Sequence, residues 1–367
     1  VTGDLRAAID SYRKIVARAG ANREIAAQAL VRMAECYQKL EDAQAPTIYA
    51  RLIRDFSDQK DAVAIARARL NQQAAPAQGS GISTRQVWTG REVTTYGAPS
   101  PDGRFLTHVD WATPSLAIRE LATGATRRVI NGSWEDPPTF PAGPSRFSPD
   151  GRQVVLVWFN EKGFHEIRVA PVNPGTAGGA ARVLYRNEEV DPYPAEWSPD
   201  GKSILATFYR KDRTTQMALV STDDGSAKVL KSFDWRSPGN MGFSPDGRYI
   251  AYDFPPNVDG PDRDMDIFVV AADGSREVPL IQHPAADKLL GWAPDGKHVL
   301  FSSDRTGTTD AWLIEVADGS PVGQPQRVKR DIGRIQPMGF ARNGSFYYGL
   351  SAGIRDIHVA RLDPATG

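Results

Sequence analysis

The spacing of hydrophobic positions changes once along the chain. From residue 3 to residue 71 apolar side chains recur at helical intervals, and from about residue 82 onward they fall in short runs bounded by Gly-, Pro- and Asp-containing turns. In the first region Asp4–Ala19 sets Leu5, Ala8, Ile9, Tyr12, Ile15 and Val16 on one stripe. Glu24–Leu40 does the same with Ala27, Leu30, Met33, Ala34 and Tyr37, and helical stretches are expected again at Thr47–Phe56 and Ala62–Leu70. Asp4 suits a helix N-cap, and Pro46 is expected to delay the start of the third helix. Residues 72–81, rich in Ala, Gln, Gly and Ser, read as a linker.

The second region repeats. Ser100-Pro-Asp-Gly-Arg104 recurs at Ser148, Ser198 and Ser244, then as Ala293-Pro-Asp-Gly-Lys297 and, in degenerate form, as Ala341-Arg-Asn-Gly-Ser345. The third positions are Asp102, Asp150, Asp200, Asp246, Asp295 and Asn343, separated by 48, 50, 46, 49 and 48 residues. Proline presets φ at the first central position, the Asp side chain can bond local backbone, and Gly103, Gly151, Gly201, Gly247, Gly296 and Gly344 supply a left-handed conformation. The motif therefore reads as a tight reversal between antiparallel strands. An aromatic residue precedes five copies, at Phe147, Trp197, Phe243, Trp292 and Phe340. Strand patterns follow each turn, such as Val154–Trp158 and Ile204–Phe208, then a third strand such as Met217–Val220, a turn such as Asp224-Gly225, and a fourth strand such as Ala227–Leu230. The sixth copy runs out at Asp363–Gly367 without a fourth strand, while residues 84–88 resemble a fourth strand with no repeat of their own. They are expected to complete the last unit and so remove exposed sheet edges.

A period near 48 residues is that of one propeller blade. The repeats resemble the TolB-type propeller, a WD-like β-propeller family, with the stretch from Phe301 to Ile314 especially close to its blade signature. The expected fold class is mainly β: a six-bladed β-propeller over residues 82–367, behind a small α-helical segment at residues 1–71. That segment resembles tetratricopeptide repeats, with Leu30, Met33–Ala34 and Tyr37 filling one helix pattern and Ala8 with Tyr12 and Ala45 with Tyr49 filling the partner pattern. The resemblance implies a concave protein-binding groove lined by Gln28, Val31, Glu35 and Gln38. Val31 and Glu35 replace the Lys and Asn with which chaperone-binding members grip a terminal carboxylate, which argues against that mode.

Charge narrows the classes of partner. The 44 basic and 44 acidic side chains cancel, which argues against nucleic acid and against anionic membranes, and no run approaches the length of a membrane helix. The chain opens at Val1 within a helical pattern, as a processed or partial chain would. The single Cys36 has no disulfide or metal partner and reads as packing among Leu30, Met33 and Tyr37.

Candidate chemistry is sparse. No Gly-x-Ser-x-Gly elbow, P-loop or His-Glu-x-x-His occurs, and the five histidines are scattered. Asp259, Asp262, Asp264 and Asp266 alternate as calcium ligands can, yet Asp266 aligns with Glu166, Asp310 and Asp356 before third strands and so belongs to the repeat. Glu188, Glu189 and Asp191 read as a polar loop rather than an acid–base pair. No catalytic residue and no required cofactor emerge, calcium being the one candidate ion. The expected function is a non-enzymatic protein-interaction scaffold with protein partners, other copies of itself included. Two alternatives stand beside it: a self-assembling subunit of an extracellular or cell-surface filament or ring, and a propeller enzyme with its site at the central funnel. The TolB resemblance implies an extracytoplasmic location.

Overall fold

The computed structural model describes residues 5–19, 22–39, 44–63, 65–66, 82–90, 93–173, 181–257, 265–351 and 355–361. They fall into two units, Val1–Gly79 and Ser80–Gly367.

The first unit carries α1 (Leu5–Arg18), α2 (Arg23–Lys39) and α3 (Gln44–Asp55). Leu30, Ala34, Tyr49 and Leu52 are wholly buried at its centre, with Cys36 half-buried beside them. Asn22 caps α2 by accepting the Ile25 amide at 3.2 Å. Pro46 does not delay α3, which begins at Gln44. The proline lies in the first turn, where a backbone N–H has no intrahelical partner to lose. Val31 corrects the groove expectation, because it is buried in the helical core and presents no surface. Gln28 is exposed, Glu35 pairs with Arg32 at 2.9 Å, and the Gln38 side chain lies outside the described residues, as do Asp4 and the whole 72–81 stretch.

The second unit is built from antiparallel strands. β1 (Ser83–Gly90) comes first in the chain. The first sheet then holds β2 (Phe105–Asp110), β3 (Ser115–Glu120) and β4 (Thr126–Ile130). The second holds β5 (Phe140–Phe147), β6 (Gln153–Phe159), β7 (His165–Pro171) and β8 (Arg182–Arg186). The third holds β9 (Val190–Trp197), β10 (Ser203–Arg210), β11 (Thr215–Ser221) and β12 (Ala227–Phe233). The fourth holds β13 (Met241–Phe243), β14 (Tyr249–Phe254), β15 (Asp266–Ala271) and β16 (Glu277–Ile281). The fifth holds β17 (Lys288–Trp292), β18 (His298–Ser303), β19 (Asp310–Ala317) and β20 (Ser320–Lys329). In the last sheet β21 (Ile335–Phe340), β22 (Ser345–Ser351) and β23 (Arg355–Arg361) are joined by β1, which pairs with β23 from Ser83↔Arg361 to Gly90↔Arg355. The first sheet lacks an inner strand and has a bridge from Pro99 to Leu106, with proline where the other repeats carry an aromatic.

The repeated turn has one construction. Ser198 Oγ bonds Asp200 Oδ1 at 2.6 Å and accepts the Ser203 amide at 2.9 Å, while Asp200 accepts the Lys202 amide at 3.1 Å and Gly201 takes φ +72°. The copies at Ser100, Ser148 and Ser244 repeat the 2.6 Å bond. Where Ala293 removes the hydroxyl, His298 Nδ1 meets Asp295 at 2.6 Å instead. At the degenerate copy Asn343 accepts the Ser345 amide at 3.0 Å, with Gly344 at φ +83°.

Neighbouring sheets are joined by apolar layers. Trp197 packs among Val155, Ile167 and Val169 of the second sheet and Ile204 and Ala218 of its own. Trp292 does the same between the fourth and fifth. The last sheet meets the first through Met338, Tyr347, Val359 and Leu106, and Tyr347 Oη donates to Gly103 O at 3.0 Å.

The turn gives a direct test. A Cβ added at Gly201 would meet nothing within 4 Å, so Gly201→Ala changes only backbone strain. The substitution is expected to destabilise by about 1–2 kcal/mol in urea unfolding, the cost of a left-handed L-residue, with Gly201→Asn costing less.

Candidate functional site

The inner strands of five sheets, together with Thr95 and Tyr96, enclose a cavity of about 660 Å³. Its wall is mostly small or apolar: Pro144, Pro194, Gly242, Leu289, Gly291, Pro337 and Gly339. Against that background the charged and polar groups stand out. They are Arg146, Asp191, Tyr193, Glu196, Tyr209, Asn240 and Gln336.

Arg146 and Glu196 sit in the middle of this wall. The Arg146 carbonyl accepts the Trp197 indole N–H at 3.1 Å, fixing its backbone against the next sheet. Its guanidinium Nη1 donates to Ser145 O at 3.0 Å and Gly97 O at 3.4 Å. Glu196 Oε2 accepts the Phe243 amide at 2.6 Å, linking the third sheet to the fourth. A Cβ at Gly242 would stand 2.8 Å from that oxygen, so glycine is what lets the carboxyl lie there. Both side chains keep partial contact with the cavity while protein surrounds them. Burial pushes Glu196 up to about 7, against the Phe243 hydrogen bond and the Arg146 charge. Burial lowers the Arg146 pKa, and Glu196 opposes the shift.

A second buried carboxylate braces the wall. Asp253 accepts the amides of Asn240 and Leu289 at 2.6 and 2.8 Å, and Asn240 Nδ2 donates to Leu289 O at 3.0 Å. Burial pushes Asp253 up to about 6.

At one end of the strands the cavity opens beside a row of aromatic rings. Trp111 stacks on Trp134 at 6.3 Å, Trp134 meets Phe140 at 5.2 Å, and Phe140 stacks on Phe159 at 5.0 Å. The row continues through His165 at 5.5 Å, Tyr193 at 5.4 Å and Tyr209 at 5.5 Å, and the last two rings line the cavity. Trp111, Trp134 and Tyr209 are 41%, 52% and 40% exposed. His165 Nδ1 lies 3.1 Å from Asp191 at the mouth.

Of the carboxylates singled out from the sequence, Asp191 is the one that lines the cavity among the described residues. Asp266 is buried at the head of β15 and accepts the His283 amide at 3.3 Å. Asp259, Asp262 and Asp264 lie outside the described residues, and no cluster able to hold a metal is found among the described ones. Glu166 and Asp310, which share the position of Asp266 in the repeat, are fully buried. Burial opposes their ionisation, but side chains including Asn160, Arg168 and Arg186 around Glu166, and Thr306, Thr308 and Arg327 around Asp310, hold both below the usual carboxylate range. Glu189 pairs with Lys211 at 3.1 Å at the surface, apart from the cavity.

Sequence reasoning missed Arg146 and Glu196, although a signal was present. The residue two before each turn motif is Ala98, Arg146, Glu196, Gly242, Gly291 or Gly339. Two repeats break a small-residue rule with opposite charges.

The fold is that of a TolB-type β-propeller. It is similar to the structure of a putative TolB from Agrobacterium tumefaciens (TM-score 0.51, 22% identity, 68% of this chain and 88% of that one). A similar overlap is found with an oligogalacturonate lyase from Vibrio parahaemolyticus (TM-score 0.52, 13% identity, 77% of this chain and 94% of that one). In sequence, the Tol-Pal system protein TolB of Anaeromyxobacter dehalogenans strain 2CP-C is 32% identical over 151 residues, 38% of this chain. The match spans 32% of that relative's length. The uncharacterized peptidase YuxL of Bacillus subtilis is 26% identical over 226 residues, 58% of this chain and 30% of its own. No family model matches the chain.

Glu196 sets a pH dependence. Its folded value lies above the usual 4.5, so its stabilising contribution is complete below that pH and is lost as pH rises through about 7. Thermal melts from about pH 5 to about pH 8 are expected to show a falling Tm, with a smaller fall in Glu196→Gln.

Proposed function

We propose that this chain is a non-enzymatic protein-binding scaffold that works outside the cytoplasm. In this reading six blades close into a ring through the pairing of β1 with β23, and a tetratricopeptide-like helical unit precedes them. The observation that carries it is the exposed aromatic row from Trp111 to Tyr209 at the mouth of the cavity. Aromatic side chains supply large, rigid contact area and are enriched at protein interfaces, whereas an isolated soluble surface gains nothing by exposing two stacked tryptophans. Sequence similarity to proteins named for the Tol-Pal system supports the same direction. The helical unit offers the exposed Gln28 and the half-buried Glu35 as further surface.

A second reading, chemistry within the cavity, is favoured by one observation: a carboxyl raised to about 7 shares the cavity with a guanidinium. Loss of turnover in Glu196→Gln, with partner capture intact, would favour it.

The scaffold reading is tested by in-cell cross-linking with the tagged full chain, followed by identification of partners. Replacement of both Trp111 and Trp134 by Ser is expected to lower recovery of the specific partner at least tenfold while leaving Tm within a few degrees. Undiminished recovery would place the docking surface elsewhere.

A further inference from the structure

The six repeats differ most sharply at the position two residues before the turn. Four carry alanine or glycine there, and Gly242, Gly291 and Gly339 line the cavity wall. Only the second and third carry long charged side chains, Arg146 and Glu196.

The guanidinium is incompletely used. Its Nη1 serves two carbonyls, but Nε and Nη2 make no hydrogen bond among the described residues, and Arg146 forms no ion pair among them. Neither nitrogen is sealed away as a buried unbonded atom, and Arg146 lines the cavity. The Nε–Nη2 edge is the fork that binds a carboxylate through two parallel hydrogen bonds. Glu196 is the nearest charged neighbour, and its Oε2 is occupied by the Phe243 amide. Tyr193, Tyr209 and Gln336 line the same cavity. The volume, about 660 Å³, lies within the usual span of small-ligand sites, about 300–1,000 Å³.

We propose that the central cavity binds a carboxylate monoanion, held by the free edge of Arg146, with Tyr193, Tyr209 and Gln336 bonding the polar body behind it. One unpaired guanidinium matches one negative charge, and the carboxyls of Glu196 and Asp191 in the same wall disfavour a dianion. The carboxylate has two possible sources, a free hydroxylated organic acid or the C-terminus of a peptide. The site shares Tyr193 and Tyr209 with the inner end of the aromatic row but does not depend on the scaffold reading.

The test titrates the full chain with gluconate, and separately with N-acetyl-trialanine and its C-terminal amide, by calorimetry. The Arg146 Nε–H resonance is followed in parallel. Saturable binding of a carboxylate probe, a shift of that resonance, and a loss of tenfold or more in Arg146→Met would support the proposal. Binding in Arg146→Lys is expected to be intermediate, since lysine keeps the charge and loses the fork. Gluconate alone binding identifies the free acid as the source, and the peptide acid binding without its amide identifies a chain terminus. Failure of every probe, equal binding of acid and amide, or unchanged affinity in Arg146→Met would overturn the proposal. Should Arg146→Met fail to fold, an unmoved Nε–H resonance in the unaltered protein would overturn it equally.

Discussion

The sheet unit depends on one local constraint, the reversal between the first and second strands of each repeat. A serine hydroxyl, an aspartate carboxylate and a left-handed glycine close that reversal within a few residues. The geometry fixes the register of the two strands it joins, and a slip of one residue would turn every buried side chain outward. Because the same turn recurs, each sheet presents the same inner edge. The aromatic just before the turn is then delivered to the same inter-sheet layer, as Trp197 and Trp292 are. The substitution of His298 for the missing serine at Asp295 shows that the carboxylate's bonding matters more than the identity of the donor.

With register fixed, the positions facing the cavity are fixed too. At the position two before the turn four repeats carry glycine or alanine, and Gly242 is small so that Glu196 can lie against the next strand. Arg146 and Glu196 are the two that depart from this pattern. Three buried carboxylates are bonded into the frame: Asp253 clamps the fourth sheet to the fifth, and Glu166 and Asp310 organise the strands around them. Arg146 differs from these in having a donor edge that the frame does not use.

The helical unit follows different physics. Its core of Leu30, Ala34, Tyr49 and Leu52 forms from periodic apolar stripes on short helices, which are individually marginal and are stabilised by packing. The same periodicity explains why Val31 is internal: with Leu30 and Ala34 it belongs to the buried side of α2, while Gln28 stays on the outer face.

The repeat, the turns, the strand runs and the pairing of the early strand with the last sheet were legible in the sequence. Local chemistry sets them: Pro-Asp-Gly encodes a reversal, alternating apolar runs encode strands, and a fixed period encodes stacking of like units. Pro46 and Val31 were misread, because the effect of a proline depends on which turn of a helix it occupies and burial depends on what a neighbouring helix covers. The functional surfaces were decided by tertiary structure. Trp111, Trp134, Phe140, Phe159, His165, Tyr193 and Tyr209 span nearly a hundred positions of sequence with no common motif, and adjacent sheets alone bring them into one row. Arg146 and Glu196 went unread although they depart from the repeat, because only the convergence of inner strands shows that both reach one cavity, and sequence period fixes the unit and not the space that the units enclose.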